Sequence, residues 1–398
     1  MLSTLRAAVA FERRPVHTVT LGASRAELFQ LHALVAGRIH VVASQRLATD
    51  ILQNGRDLYL TGRANRRMLP VLPENTLLTL DGEHHRQRRR QLAQLFSGER
   101  FTQTAAALAK LIATELDTWP IGQPIAVLPR LRALTFRVAV RLVLGPQDER
   151  AVRSLERQLA AAVRPYGLLA GYERLSALGP LAPEAFAARQ RARFAQCLGD
   201  VAEASILEMS ADEVLALLLA GRDTTASALA WALLELARHP QVADELGAQP
   251  SDDPGHAGWL DAVIHEALRL HPPLIDIVRS PLQPVTLAGQ TLGAGELLMI
   301  CPALIGRSDA YESPHLFMPH RFLGQRPDPR HWVPFGGGPR RCIGAPLAML
   351  ELREVLKAVT RRFTLSAVRG PIEAERLYGT AVVPAAGAAL LLSPRAGH

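Results

Sequence analysis

The segment Phe335 to Gly344 reads FGGGPRRCIG and runs straight into APLAMLELREVLKAV, a helical pattern with Pro346 near its first turn. A glycine-rich loop thus delivers one cysteine, Cys342, to the start of a helix. Three consecutive glycines remove the side chains that would keep a flat, bulky group off the backbone, and the helix's free amides and positive end favour a thiolate over a thiol. That combination suits axial ligation of a metal by sulfur. A phosphate-cradling loop would need Lys followed by Ser or Thr at the helix start, where this chain has Arg341 and Cys342. A buried, inert cysteine is the ordinary fate of a lone one, but it gives no reason for the glycines and arginines around it.

A second unusual run, Ala220-Gly221-Arg222-Asp223-Thr224-Thr225, interrupts the most helix-like apolar stretch, Val214 to Leu234, with glycine, charge and hydroxyls. Read from the residues alone, Thr224 bonds back to a carbonyl one turn earlier while Asp223 pairs with an arginine. Glu266 and Arg269, three apart in HEALRLHPP, fall on one helical face as a charge-assisted pair; alone, such a pair reads as an ordinary surface ion pair. His85 and Arg89 in DGEHHRQRRR are four apart and can converge on one anionic group, whereas His84 points elsewhere. The competing reading of that run is a solvated basic face.

The elements that must position these groups are mainly helices. Ser210 and Glu213 match a capping box, in which hydroxyl and carboxylate satisfy each other's backbone amides. The helix they open is predicted to run to Arg238, ahead of His239 and Pro240, about 42 Å at 1.5 Å per residue. Arg38 to Ala43 is predicted as a strand, QRLATDILQ as a helix, and Gly62 to Asn75, with two prolines, as a loop. Asp81 to Gly98 and Arg100 to Val143 have helical patterns, and prolines and glycines mark an irregular region from Ala162 to Pro183. Short β-like runs occupy Val278 to Ile300, and Ala381 to Leu392 reads as a hairpin. Nothing repeats at a fixed period, so one continuous domain over 1–398 is expected.

Taken position by position, Phe335, Gly338, Arg340, Cys342 and Gly344 resemble the haem-binding signature of the cytochrome P450 family, F-x-x-G-x-[RH]-x-C-x-G. Residues 220–225 resemble that family's oxygen-binding motif, [AG]-G-x-[DE]-T-[TS]. Glu266 and Arg269 are similar to its E-x-x-R, Phe317 to Phe322 to its F-x-P-x-R-F, and His85 with Arg89 to its H-x-x-x-R. The motifs stand in the family's order, and the resemblance extends from about Gly37 to Leu392.

The resemblance implies a mainly α fold with a minor β portion, a triangular prism of helices around a buried haem b (iron protoporphyrin IX). It implies Cys342 as the thiolate ligand that favours O–O cleavage, and His85, Arg89, Arg279, Phe335, Gly336, Arg340 and Gly344 as further haem-binding residues. By the same resemblance Gly221 opens a groove for O2, Thr224 hydrogen-bonds dioxygen or its water, and Asp223 relays protons. Glu266, Arg269 and Arg321 become a buried structural triad. The pocket candidates, taken by analogy, lie in Met68 to Leu80, Tyr166 to Tyr172, Leu217 to Gly221, Leu274 to Val278 and Ala381 to Val383, with Leu72, Leu217, Ala220, Gly221, Ile275, Asp276 and Val382 chosen among them. They are mostly aliphatic, which favours a largely apolar small organic molecule of the natural-product kind. Asp276 is the one acid in its run, to be paired with Arg279 or the propionates, or to contact substrate.

Composition limits the remaining possibilities. The chain has 398 residues, 48% of them apolar and 21% charged, ample for a core. All but two of its 45 basic side chains, Lys110 and Lys357, are arginine. They are scattered among acids with no aromatic interleaving, so nucleic acid is not expected as a partner. Three cysteines without CxxC spacing argue against a disulfide framework or structural zinc. Only Ala7 to Phe11 separates Arg6 from Glu12, too short for a signal-peptide core, and no run is long and uncharged enough for a membrane span. A cytoplasmic monomer is expected. No flavin or iron–sulfur segment is recognisable, so NAD(P)H-derived electrons are expected through a ferredoxin and its reductase, docked on the arginines at 86, 88, 90, 341 and 353. A peroxide-driven peroxygenase and a non-catalytic haem-binding recruitment or sensor module are the alternatives. Retention of Asp223 and Thr224 argues against the first, and the intact cysteine and oxygen motifs argue against the second.

Overall fold

Ser210 opens the helix that organises the molecule: its hydroxyl accepts the amide of Glu213 at 3.1 Å, and the helix runs unbroken from Ala211 to Arg238. Only half of the expected capping box forms. The Glu213 carboxylate is buried and turned to the Leu77 amide (3.1 Å) and Arg88 (2.9 Å), because a tertiary cation and a loop amide compete successfully for it. These features are seen in a computed structural model that describes residues 14–395 apart from 25, 34–36, 56–57, 69–71, 164–182, 202–208, 249–253 and 369–372. Residues 164–182 of the expected irregular region, and with them Tyr166 to Tyr172, lie outside the described residues.

In chain order the helices are α1 Pro15–Ala23, α2 Gln45–Thr49 with a π-helical continuation Asp50–Asn54, α3 Gly62–Met68, α4 Gly82–Ala93, α5 Glu99–Leu116, α6 Val127–Leu144, α7 Glu149–Val163, α8 Pro183–Val201, α9 Ala211–Arg238, α10 Pro240–Ala248, α11 Pro254–Leu270, α12 Pro302–Gly306 and α13 Ala345–Arg362. The strands are β1 Leu28–Ala33, β2 Gly37–Val42, β3 Tyr59–Leu60, β4 Pro124–Ala126, β5 Ile277–Pro281, β6 Val285–Leu287, β7 Gln290–Leu292, β8 Leu297–Ile300, β9 Phe363–Ala367, β10 Glu375–Tyr378, β11 Ala381–Pro384 and β12 Ala389–Pro394. One sheet has the order β1-β2-β8-β5-β3, with β2 and β8 parallel and its other pairs antiparallel. Smaller sheets are β4-β12-β9, β10-β11 and β6-β7. Helix thus dominates over a minor β portion, as expected.

The largest apolar cluster joins α5, α6, α9, α11 and α13, with Leu131, Leu229, Trp231, Leu233, Val263 and Leu356 at most 1% exposed. Helix α9 is hydrophobic almost all round, and a helix of that kind stays in water only when other helices cover it. Ser227 Oγ (2.6 Å) and Trp231 Nε1 (3.0 Å) both donate to the carbonyl of Val382, and so tie α9 to β11.

Two sequence expectations are corrected. Gly62–Met68 is helical and not loop: its polar, arginine-rich run has no apolar period to betray it, and its cap comes from a distance. Asp81 accepts from the amides of Thr61, Gly62 and Arg63 at 2.8–2.9 Å. Residues 381–392 do not form a hairpin. β11 pairs with β10 while β12 pairs with β4 and β9, because Pro384 ends the first strand and Gly387, at φ +81°, turns the chain toward another sheet.

Candidate active site

The cysteine loop is built by glycine where no other residue fits. Gly336 and Gly338 adopt φ of +68° and +60°, and a Cβ on Gly338 would lie 2.2 Å from the carbonyl oxygen of Leu52 in the π-helical turn. That turn and α2 also reach the approach to the loop: Gln45 (3.4 Å) and Thr49 (3.2 Å) donate to the Arg330 carbonyl, and Gln53 (3.3 Å) to that of Pro329. The Cys342 amide donates to the Phe335 carbonyl at 2.9 Å and closes the loop, leaving the sulfur beside the start of α13. Burial pushes the thiol up, against the amides of Gly344 and Ala345 and the guanidinium groups of Arg89 and Arg341, which draw it down. Cys197 and Cys301 are buried, whereas Cys342 keeps exposed surface although protein surrounds it. A group both deep and accessible lines an internal space.

On one side of this loop lies a cavity of about 370 Å³ whose wall includes Tyr59, Asp81, His85, Arg279 and Arg340. His85 is buried and His84 exposed. Burial, with Arg340 and Arg89 close by, lowers the His85 imidazole to about 4. Burial likewise lowers Arg279 and Arg340 to about 10, and Arg279 is further depressed by Arg340. Arg340 Nη2 donates to Asp81 Oδ1 (2.7 Å) and the Leu80 carbonyl (2.6 Å), and Arg279 Nη1 donates to the Val278 carbonyl (2.9 Å). Asp81 is the one carboxylate in this wall, and three backbone amides already claim it. The cavity therefore presents excess positive charge, the setting for an anionic ligand edge.

Along α9, Leu217, Gly221 and Thr224 are partly open and Ala220 is exposed, whereas Leu218, Arg222, Asp223 and Thr225 are buried. Ala220 and Gly221 follow Leu217 by three and four residues, and Thr224 follows them by four and three, which places them on one face. The Thr224 hydroxyl donates to the Ala220 carbonyl at 2.7 Å. Asp223 is buried, with Oδ1 2.8 Å from Arg132 Nε of α6 and Oδ2 3.6 Å from Arg222. A Cβ on Gly221 would meet the Ala139 Cβ at 3.4 Å, so this glycine sets how closely α6 and α9 approach.

Glu266, Arg269 and Arg321 meet. Arg269 is fully buried and grips Glu266 through Nε (2.7 Å) and Nη2 (2.8 Å), and donates to the carbonyls of Gly306, Pro314 and Leu316. Glu266 Oε1 also accepts the Met318 amide (2.8 Å) and Arg321 Nε (3.2 Å). Of the pocket candidates, Leu72, Ile275 and Val382 are closed in by neighbours, at 5%, 4% and 2% exposure, and the last two belong to an apolar cluster with Val278 and Met299. Asp276 is partly open, and burial raises its carboxyl to about 6. It forms no ion pair with Arg279, which is turned to its own neighbour's carbonyl.

The expected basic docking face is largely neutralised. Arg86 and Arg90 both bind Glu83, Arg88 binds Glu213 and Arg353 binds Asp261, leaving Arg341 exposed over the Phe335 ring. Sequence reasoning missed Asp81 and Arg132. An aspartate just before a basic helix signals a cap for that helix, yet Asp81 serves α3, and Arg132 is one arginine among many. It also missed Glu351 of α13, whose buried carboxyl is pushed well above the usual range and whose Oε2 has no hydrogen-bond partner. No helix among the described residues is long and apolar enough to cross a membrane.

A family profile described as cytochrome P450 matches residues 189–386. Cytochrome P450 135B1 of Mycobacterium tuberculosis is 30% identical, covering 91% of this chain and 83% of its own length. Cytochrome P450 138 of the same organism is also 30% identical, over 92% and 89%. Among solved structures, CYP175A1 of Thermus thermophilus superposes with a TM-score of 0.78 at 23% identity over 96% of both chains. A retinoic acid-bound cyanobacterial CYP120A1 does so with 0.77 at 21% identity over 93% and 92%.

Proposed function

The chain belongs to the cytochrome P450 family of haem-thiolate monooxygenases, and from that premise we propose that it oxidises a largely apolar small organic molecule of the natural-product kind. In this reading electrons come from NAD(P)H through a ferredoxin and its reductase, and the protein works as a cytoplasmic monomer. The observation that carries the reading is the juxtaposition around Cys342: an accessible sulfur at a helix start, with a cation-rich cavity next to its loop.

The residues on hand suit a haem. The excess charge of Arg279 and Arg340, with Asp81 already engaged and the uncharged His85 as a hydrogen-bond donor, fits a pair of propionates, and Arg89 adds a cation near the sulfur. Gly336 and Gly344 would leave room for a flat ring, and Phe335 would be among the residues holding it. Cys342 would supply the iron ligand, and with no CxxC pair in the sequence for thioether attachment, the reading takes the group to be haem b. Bound there, the group supplies the activation of dioxygen and the transfer of a single oxygen atom to substrate. The chain's own part is to hold and deliver protons. Thr224 places a hydroxyl on the open face of α9, and Asp223 behind it carries the charge that a proton relay needs. The contact with Arg132 holds the Asp223 carboxylate in place. Leu217 and Ala220 give that face its apolar character.

The test is the spectrum of the carbonyl-bound ferrous protein, expected to show the red-shifted Soret band of thiolate ligation. A band at the position typical of imidazole ligation overturns the assignment of Cys342. Turnover that runs on peroxide alone, and not with ferredoxin, reductase and NADPH, assigns the chain to peroxygenase chemistry instead.

A further inference from the structure

Asp276 lies between α11 and β5 on backbone that is pinned on both sides. Leu274 forms a bridge with Ala381, the Val382 amide donates to the Pro273 carbonyl at 2.7 Å, and Ile277 opens β5 opposite Ile300. The Ile277 Cδ1 comes within 3.9 Å of where a Cβ on Gly336 would stand, so this stretch rests directly against the Cys342 loop. Like Cys342, Asp276 is deep in the protein and still keeps open surface. Its neighbours Leu274, Ile275 and Ile277 are apolar.

A carboxylate in such surroundings needs a cation. Among the described residues no arginine, lysine or histidine forms an ion pair with Asp276. The nearest candidate in sequence, Arg279, donates to the Val278 carbonyl and lines the cavity shared with Arg340 and Asp81. Its carboxyl is raised only to about 6, so it stays mainly ionised at neutral pH. A hydroxyl would give it a hydrogen bond but leave the charge uncompensated, whereas a protonated amine provides both. We propose that Asp276 is the recognition point for a protonated amine carried by an otherwise apolar substrate. This deepens the monooxygenase reading above and rests on it.

The experiment uses the haem-loaded protein and two probes: the octyltrimethylammonium ion, whose nitrogen cannot ligate iron, and its uncharged tert-butyl isostere. Binding of each is followed at pH 7 by titration calorimetry and by the Soret shift. The parent is expected to bind the cation about tenfold more tightly than the isostere, about 1.4 kcal/mol. Asp276→Asn should lose that preference while binding the isostere within about twofold of the parent, and Asp276→Glu should keep it. If Asp276→Asn fails to retain haem, Asp276→Ser gives the same reading. The proposal is overturned if the parent shows no charge preference, if the preference survives in the neutral variants, or if neither probe binds although the thiolate band is present. Absence of that band in the parent marks failure of the underlying monooxygenase reading instead.

Discussion

Arg340 Nη2 lies 2.7 Å from Asp81 Oδ1, and the same carboxylate caps α3 through the amides of Thr61, Gly62 and Arg63. One side chain therefore sets both the start of a helix and the direction of a guanidinium in the cation-rich cavity. Asp81→Ala should lower unfolding stability by about 2–4 kcal/mol, from a lost cap and a lost charged hydrogen bond. Asp81→Asn, which keeps an acceptor for the amides, should recover about half. Urea midpoints at unchanged slope check both.

Cys342→Ser and Cys342→His should each abolish the red-shifted Soret band of the carbonyl complex. A hydroxyl supplies no thiolate charge, and an imidazole changes the electron push on the O–O bond. A variant that keeps both band and turnover would show that another residue ligates the iron.

Thr224→Ala should leave folding and haem content nearly unchanged, because its hydroxyl is bonded only to the carbonyl one turn earlier. Product per NADPH should fall several-fold while peroxide release rises. Equal coupling in variant and parent would reduce Thr224 to a helix hydroxyl.

Arg269→Leu leaves the Glu266 carboxylate buried with Arg321 as its remaining cation, so it should cost about 3–5 kcal/mol. The readout is soluble yield and urea unfolding. Near-parental stability would mean that Arg321 alone neutralises Glu266.

His271 connects the ends of α9 and α11 to β10. Its Nε2 is 2.7 Å from Glu235, and Glu375 is 2.7 Å from Arg307. Burial pulls His271 down, but the carboxylates of Glu235 and Glu375 outweigh it and hold the imidazole above 6.5. Burial alone would raise Glu375, yet His271 and Arg307 bring it to about 2. A raised histidine stabilises fully below its unfolded value, near 6.5, and loses that contribution as pH rises through the folded one. A lowered carboxylate stabilises above its unfolded value, near 4.5, and loses that contribution as pH falls toward 2. The stability gap between the parent and His271→Asn should therefore be widest between about pH 4.5 and 6.5, and narrow on either side. Thermal melts across that range decide it.

The sequence made the signature-bearing parts legible because their chemistry is local. Cys342 sits in a loop whose glycines are dictated by its own backbone, and Ser210 to Arg238 is bounded by a cap and a proline. Residues whose partners are remote stayed hidden. Asp81 reads as a cap for α4 and serves α3, Glu213 completes a box on paper and binds Arg88 in space, and the arginines of α4 look like a free basic face until Glu83 is seen between two of them. Patterning likewise located two β runs in residues 381–392 but not their pairing, since which sheet accepts a strand depends on neighbours far along the chain.

The packing of Gly338 on the Leu52 carbonyl has a kinetic side. The segments that meet there are about 285 residues apart in sequence, as in the Gln45 to Arg330 hydrogen bond. Contacts of such separation form only after a large loop has closed, and loop closure of that kind slows folding. The first of these segments leaves the ribosome long before its partner, so the cysteine's surroundings can be completed only once the loop around Gly338 has itself been made.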